Sequence, residues 1–132
     1  MARSESVHPT ELELEILKVL WDKSPLLVRE VRARLEAQAD RPLAHSSVIT
    51  MLNIMHRKGF LRRRKEGKSF LFWPKARKES VMGRMTGDLL SRVFDGSPRA
   101  MVLNLLETAD LDSDELDELR KLITRKAKEK KQ

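Results

Sequence analysis

The sequence predicts a mainly α-helical chain in which three helices and a β-hairpin come first and a further run of helices follows. Three observations carry this. Apolar residues recur at helical spacing in three early segments, separated by proline or glycine. The period then changes to a strand-turn-strand pattern around Gly67. Beyond Lys75 the helical spacing returns and holds nearly to the end.

The first helix is expected from Thr10 to Asp22. Thr10 and Glu13 form a capping box, in which the hydroxyl accepts from the amide three residues on and the carboxylate reaches back. Leu12, Ile16, Leu17 and Leu20 share a face, and Ser24-Pro25 ends the helix. The second runs from Val28 to Ala39, with Val28, Val31 and Leu35 together. Asp40-Arg41-Pro42 stops it, because a residue before proline is pushed out of the helical region. The third is expected from Ser46 to Lys58 on the spacing of Val48, Leu52 and Met55, with Gly59 as its stop. Phe60–Lys65 and Ser69–Trp73 are the arms of a hairpin, the first basic and the second aromatic, turned at Gly67 and closed by Pro74. Helix, helix, helix, hairpin is the order of a winged helix-turn-helix, whose second motif helix enters the major groove of DNA.

In the second half, Val81, Met85, Leu89 and Val93 lead a long apolar stripe, interrupted at Gly96-Ser97-Pro98. Met101, Val102, Leu103, Leu105 and Leu106 follow on a short helix. Asp112 with Glu115 opens the last helix, which carries Leu116, Leu119, Leu122 and Ile123 on one side. Lys126 to Lys131 is expected to be a frayed basic tail. The 57 residues after Lys75 are too few to bury so much apolar surface alone. Residues 1–75 are therefore expected to form a winged-helix domain and residues 76–132 a helical dimerisation domain. The predicted dimer set is Val81, Met85, Leu89, Val93, Met101, Leu105, Leu116, Leu119 and Ile123. The alternative folds these helices back on their own winged helix. Two-fold pairing would offer two reading helices to a pseudo-palindrome with half-sites about 10 bp apart, or a multiple of that.

Charge points the same way. The 132 residues carry a formal net charge of +7. Through Lys75 there are 15 basic and 9 acidic residues; after it there are 12 and 11. Arg57, Lys58, Arg62, Arg63, Arg64, Lys65, Lys68 and Lys75 are opposed only by Glu66. A merely solvated face would mix the signs, and like charges repel unless an anion is to come. Arg57, Lys58, Arg62, Arg63, Arg64, Lys65 and Lys68 are therefore assigned to DNA phosphates, which give affinity and register without sequence choice, with entry of the wing arginines into a minor groove left open as the alternative. Sequence choice is assigned to Ser46, Ser47, Thr50 and Asn53 of the third helix, whose hydroxyls and amide suit base edges. Plainer roles are a helix cap for Ser46 and an ordinary surface position for Asn53.

Several classes are excluded. The absence of cysteine removes disulfides, zinc-thiolate sites and thiol redox sensing. No apolar run approaches the roughly 18 residues of a membrane span. Met1–Ser6 lacks the apolar core of a signal peptide, so the cytoplasm is expected. His8, His45 and His56 fit no metal spacing, and no nucleophile elbow or glycine-rich phosphate loop occurs. No catalysis, metal or cofactor is expected.

Four segments resemble the penicillinase-repressor (BlaI/MecI-type) family across nearly the whole chain. They are Glu13–Trp21; Leu27–Val31; Ser47–Leu52 with Lys58-Gly59-Phe60-Leu61; and Val102–Glu107 with Leu111 and Glu115–Leu119. The resemblance implies a homodimeric repressor that keeps resistance or stress genes silent. It also implies a membrane sensor-protease whose signal leads to a cut in the C-terminal segment; the matching bond is Asn104–Leu105. Ile54 stands where the family commonly has Arg, which implies the loss of a phosphate or structural contact unless Arg57 compensates, and Ser46 stands where some members have Lys. The operator is thereby left open. Copper-responsive relatives bind metal through C-terminal cysteines, which this chain lacks. Two alternatives stay open: a ligand-sensing winged-helix regulator with an effector pocket in the dimer region, and a nonspecific DNA-binding or protein-docking module.

Overall fold

The computed structural model describes residues 8–39 and 42–132. The expectations for Met1–Ser6 and for the Asp40-Arg41 stop lie outside these residues. The elements are α1 (Glu11–Asp22), β1 (Leu26–Leu27), α2 (Val28–Ala39), α3 (His45–Lys58), β2 (Leu61–Glu66), β3 (Ser69–Pro74), α4 (Lys78–Val93), α5 (Pro98–Thr108) and α6 (Ser113–Lys131). The fold is a winged helix followed by helices. It divides into two compact units, Met1–Gly87 and Asp88–Gln132, with the division inside α4.

In the first unit, α1 begins with the expected capping box. The Glu13 amide donates to Thr10 Oγ1 at 3.3 Å, and the Thr10 amide donates to Glu13 Oε1 at 2.9 Å. Ile16, Leu17 and Leu20 of α1, Val31 and Leu35 of α2, and Leu52 and Met55 of α3 meet in one buried cluster with Leu61 and Phe72 of the hairpin. Gly59 takes φ 89° and ends α3, while the Phe60 amide reaches back to the Met55 carbonyl at 3.0 Å. Such a left-handed residue with a bond across five positions satisfies carbonyls that the helix leaves open. Gly67, at φ 62°, makes the tight turn that lets β2 and β3 pair from Leu61↔Pro74 to Glu66↔Ser69.

The sheet has the order β1-β3-β2. Strand β1 was not expected: Leu26 and Leu27 pair with Phe72 and Leu71. Two residues show no period, so only the tertiary pairing reveals them. On the other side of the hairpin, Trp21 Nε1 donates to the Ala76 carbonyl at 2.9 Å. That bond ties the chain leaving the hairpin to α1.

In the second unit, Ser97 Oγ accepts from the Ala100 amide at 3.1 Å and opens α5, with Pro98 in its first turn. Asp112 Oδ1 accepts from the Glu115 amide at 2.9 Å and opens α6. The frayed tail expected at Lys126–Lys131 is corrected: α6 continues through Lys131. Its last turns consist of good helix formers, and Lys128, Lys130 and Lys131 favour the negative end of the helix dipole. Neither α5 nor α6 contains a buried residue.

Candidate nucleic-acid interface

Helix α3 is seated on the core by Val48, Leu52 and Met55, which are all buried. At 3.6 residues per turn, Ser46, Thr50, Asn53 and Arg57 then fall within about 60° of arc on the opposite side. Ser46, Thr50 and Arg57 are exposed, as is the flanking Ser47, whereas Asn53 and Ile54 are partly buried. The helix begins one residue earlier than expected. Its N-cap is Ala44, which offers no side-chain bond, so the capping role considered for Ser46 does not arise. Three of the four residues assigned to base edges, Ser46, Thr50 and Asn53, are thus brought to the side of α3 turned away from the core, with Ser47 exposed at its flank.

The hairpin sorts its cations by alternation. Leu61 is buried, so Arg63, two residues on, shares its side of the strand, while Arg62 and Arg64 take the other and are exposed. Arg63 stands opposite Phe72 in the register, which makes Phe70 its diagonal neighbour. The guanidinium carbon lies 4.5 Å from the Phe70 ring centroid, and Nη1 donates to Asn53 Oδ1 at 2.7 Å. Arg63 is therefore held within the chain, between wing and α3. Arg64 comes within 3.8 Å of Glu66, an exposed pair of little consequence. Arg57, Arg62, Lys65 and Lys68 have no ion pair among the described residues.

Lys58 also departs from the free cations with which the sequence grouped it. Its ammonium donates to Glu13 Oε2 at 2.9 Å and to Oε1 at 3.2 Å. The Glu13 side chain is 2% exposed and that of Lys58 30%. Helical spacing gave Glu13 only a capping role. Its second partner is 45 positions away and left no local signal.

The predicted dimer residues divide. Val81 is 3% exposed, already covered within its own chain. Leu89, Val93, Leu105, Leu116 and Ile123 are exposed large hydrophobics, with Ile123 at 61%. Met85, Met101 and Leu119 are partly buried. Asn104 and Leu105 lie inside α5 and are exposed, and the Asn104 carbonyl accepts from Thr108 Oγ1 at 2.8 Å. Among the described residues no helix is long and apolar enough to cross a membrane.

Comparison with known proteins follows the same lines. The family description "Penicillinase repressor" matches residues 9–125. The penicillinase repressor of Bacillus licheniformis is 29% identical over 123 residues, covering 93% of this chain and 94% of that protein. The methicillin resistance regulatory protein MecI of Staphylococcus aureus is 25% identical over 114 residues, covering 86% and 91%. Among solved structures, RosR of H. salinarum superposes with a TM-score of 0.54 at 15% identity, covering 90% of this chain and 94% of that one, a likeness of fold.

Proposed function

The chain belongs to the penicillinase-repressor family of DNA-binding transcriptional repressors, and from that premise we propose that it silences its targets as a homodimer on a pseudo-palindromic operator. One observation carries the reading: the exposed Ser46, Thr50 and Arg57 side of α3 lies beside a hairpin whose Arg62, Lys65 and Lys68 lack counter-charges among the described residues. Ser46, Ser47, Thr50 and Asn53 choose sequence, and the free cations hold the backbone. The dimer is supported by α5 and α6, which hold no fully buried residue in a single chain. A symmetric partner would cover Leu105, Leu116 and Ile123. The protein works in the cytoplasm and performs no catalysis.

Regulated cleavage at Asn104–Leu105 belongs to the same reading. A protease needs an extended strand, and this bond lies in a helix. Cutting it therefore requires local unfolding of α5, and a membrane sensor-protease would act on that opened form. The ligand-sensing alternative has one observation in its favour: a recess of about 720 Å³ in the first unit, between α1 and the start of α4, with Trp21, Met82 and Met85 in its lining.

Selection of bound genomic DNA by the purified protein tests the function. A recurrent pseudo-palindrome that persists at raised salt is the expected result; binding without a recurrent sequence would overturn it. Salt dependence refines the test. Each phosphate contact contributes about 0.9 to the slope of log affinity against log salt. Replacing Arg62, Lys65 and Lys68 together with alanine should lower that slope by up to about 3 and leave the selected sequence unchanged. A shifted sequence with an unchanged slope would mean that the wing reads bases.

A further inference from the structure

The bond between Arg63 and Asn53 joins the wing to the reading side of α3, and it fixes more than position. Arg63 Nη1 donates to Asn53 Oδ1 at 2.7 Å, with the guanidinium laid over Phe70 at 4.5 Å. A guanidinium has only donors, so the amide atom facing it must be the oxygen. The orientation of the Asn53 amide is thereby determined by chemistry. Its carbonyl is occupied, and its two N–H groups have no partner among the described residues, which leaves them for an outside one.

That matters for base choice. Asparagine usually reads adenine by accepting from N6 and donating to N7, which needs the carbonyl. Here the carbonyl serves a cation. Its second lone pair lies on the same oxygen, and the positive charge bonded to that oxygen weakens it as an acceptor for an incoming amino group. Arg57, one turn further along α3, adds to the positive field. Guanine offers two neighbouring acceptors, O6 and N7, and no donor on that edge. Adenine and cytosine would each bring an amino group toward an edge that already donates.

Resting on the DNA-reading function above, we propose that Arg63 makes Asn53 a donor-only reader that selects guanine over adenine at the base it faces. Arg63 is a positioning residue in this scheme, and Asn53 is the specificity determinant. The pair explains why a cation of the wing is spent inside the chain: it sets the polarity of a reading residue.

The test is selection from a library randomised across the half-site, read as base preference at each position. Wild type is compared with Asn53→Ala, Asn53→Asp and Arg63→Met, each first shown to be folded by circular dichroism. Arg63→Met keeps an apolar side chain over Phe70 and removes the cation. One position in each half-site should prefer guanine over adenine by about 10-fold in wild type. Asn53→Ala should abolish that preference, and Asn53→Asp, which can only accept, should turn it to cytosine. Arg63→Met, with the carbonyl released, should turn it toward adenine. Adenine at the Asn53-dependent position in wild type would overturn the proposal, as would a pattern unmoved by Asn53→Ala or by Arg63→Met. A wild type with no sequence preference anywhere would instead overturn the DNA-reading function itself.

Discussion

Replacing Lys58 with methionine should destabilise the winged helix by about 3 kcal/mol, a large fraction of the stability of a domain this size. The reason is what it leaves behind. Glu13 is 2% exposed, and without Lys58 its carboxylate keeps only the Thr10 amide and loses its counter-charge. Breaking a buried pair from one side typically costs about 3–5 kcal/mol. The lower end applies because Lys58 is 30% exposed and water reaches part of the site. Removing both charges should be far milder. Glu13→Gln with Lys58→Met keeps an acceptor for the Thr10 amide and should recover at least half of the loss, since a neutral replacement of both partners avoids the stranded charge. Urea unfolding of the two single variants and the double variant gives the coupling directly, provided the slope with denaturant is unchanged. A loss below about 1 kcal/mol for Lys58→Met would mean that the pair behaves as a surface ion pair. The same variant should leave the salt slope of DNA binding intact, because Lys58 is committed to Glu13.

The second large effect lies in the other unit. Leu122→Glu with Ile123→Glu should convert a dimer to a monomer and reduce operator affinity by about 10²–10⁴-fold, the advantage that linkage gives to a second binding event. Both residues are exposed large hydrophobics on α6, a helix without any buried residue. Placing four carboxylates at a two-fold interface opposes pairing by repulsion and by desolvation. Sedimentation equilibrium and titration of a full operator against a single half-site check this together. Dimers that persist at micromolar concentration, with full operator affinity, would place the interface elsewhere. A monomer that still binds the half-site would show that the first unit is unharmed.

The helices of the winged portion were legible because each carries its own punctuation. Thr10 and Glu13 announce α1, the spacing of Val28, Val31 and Leu35 gives α2, and Gly59 ends α3. Gly67 does the same for the hairpin. These are local signals, written within a few residues of where they act. What escaped was non-local. Strand β1 exists only because β3 comes alongside it. The Glu13–Lys58 pair spans 45 positions, and a capping glutamate looks the same with or without such a partner. Counting charges along the hairpin could not separate Arg63 from Arg62 and Arg64. The strand alternation that divides them becomes informative only once Leu61 is known to face inward. A lysine-rich end resembles a frayed tail in sequence, yet the dipole of a long helix favours such an end and α6 continues through Lys131.

Ala44 has an evolutionary corollary. A serine or aspartate at that cap would stabilise α3 by about 1 kcal/mol, and such a change is a single step in residue type. Ala44 instead leaves the opening amides of the reading helix without a side-chain acceptor. Under selection for heat resistance alone, variants capped at this position should be enriched. The alanine carried here leaves that gain unused at the start of the reading helix, so one substitution at one cap is enough to lengthen the life of the folded first unit at high temperature.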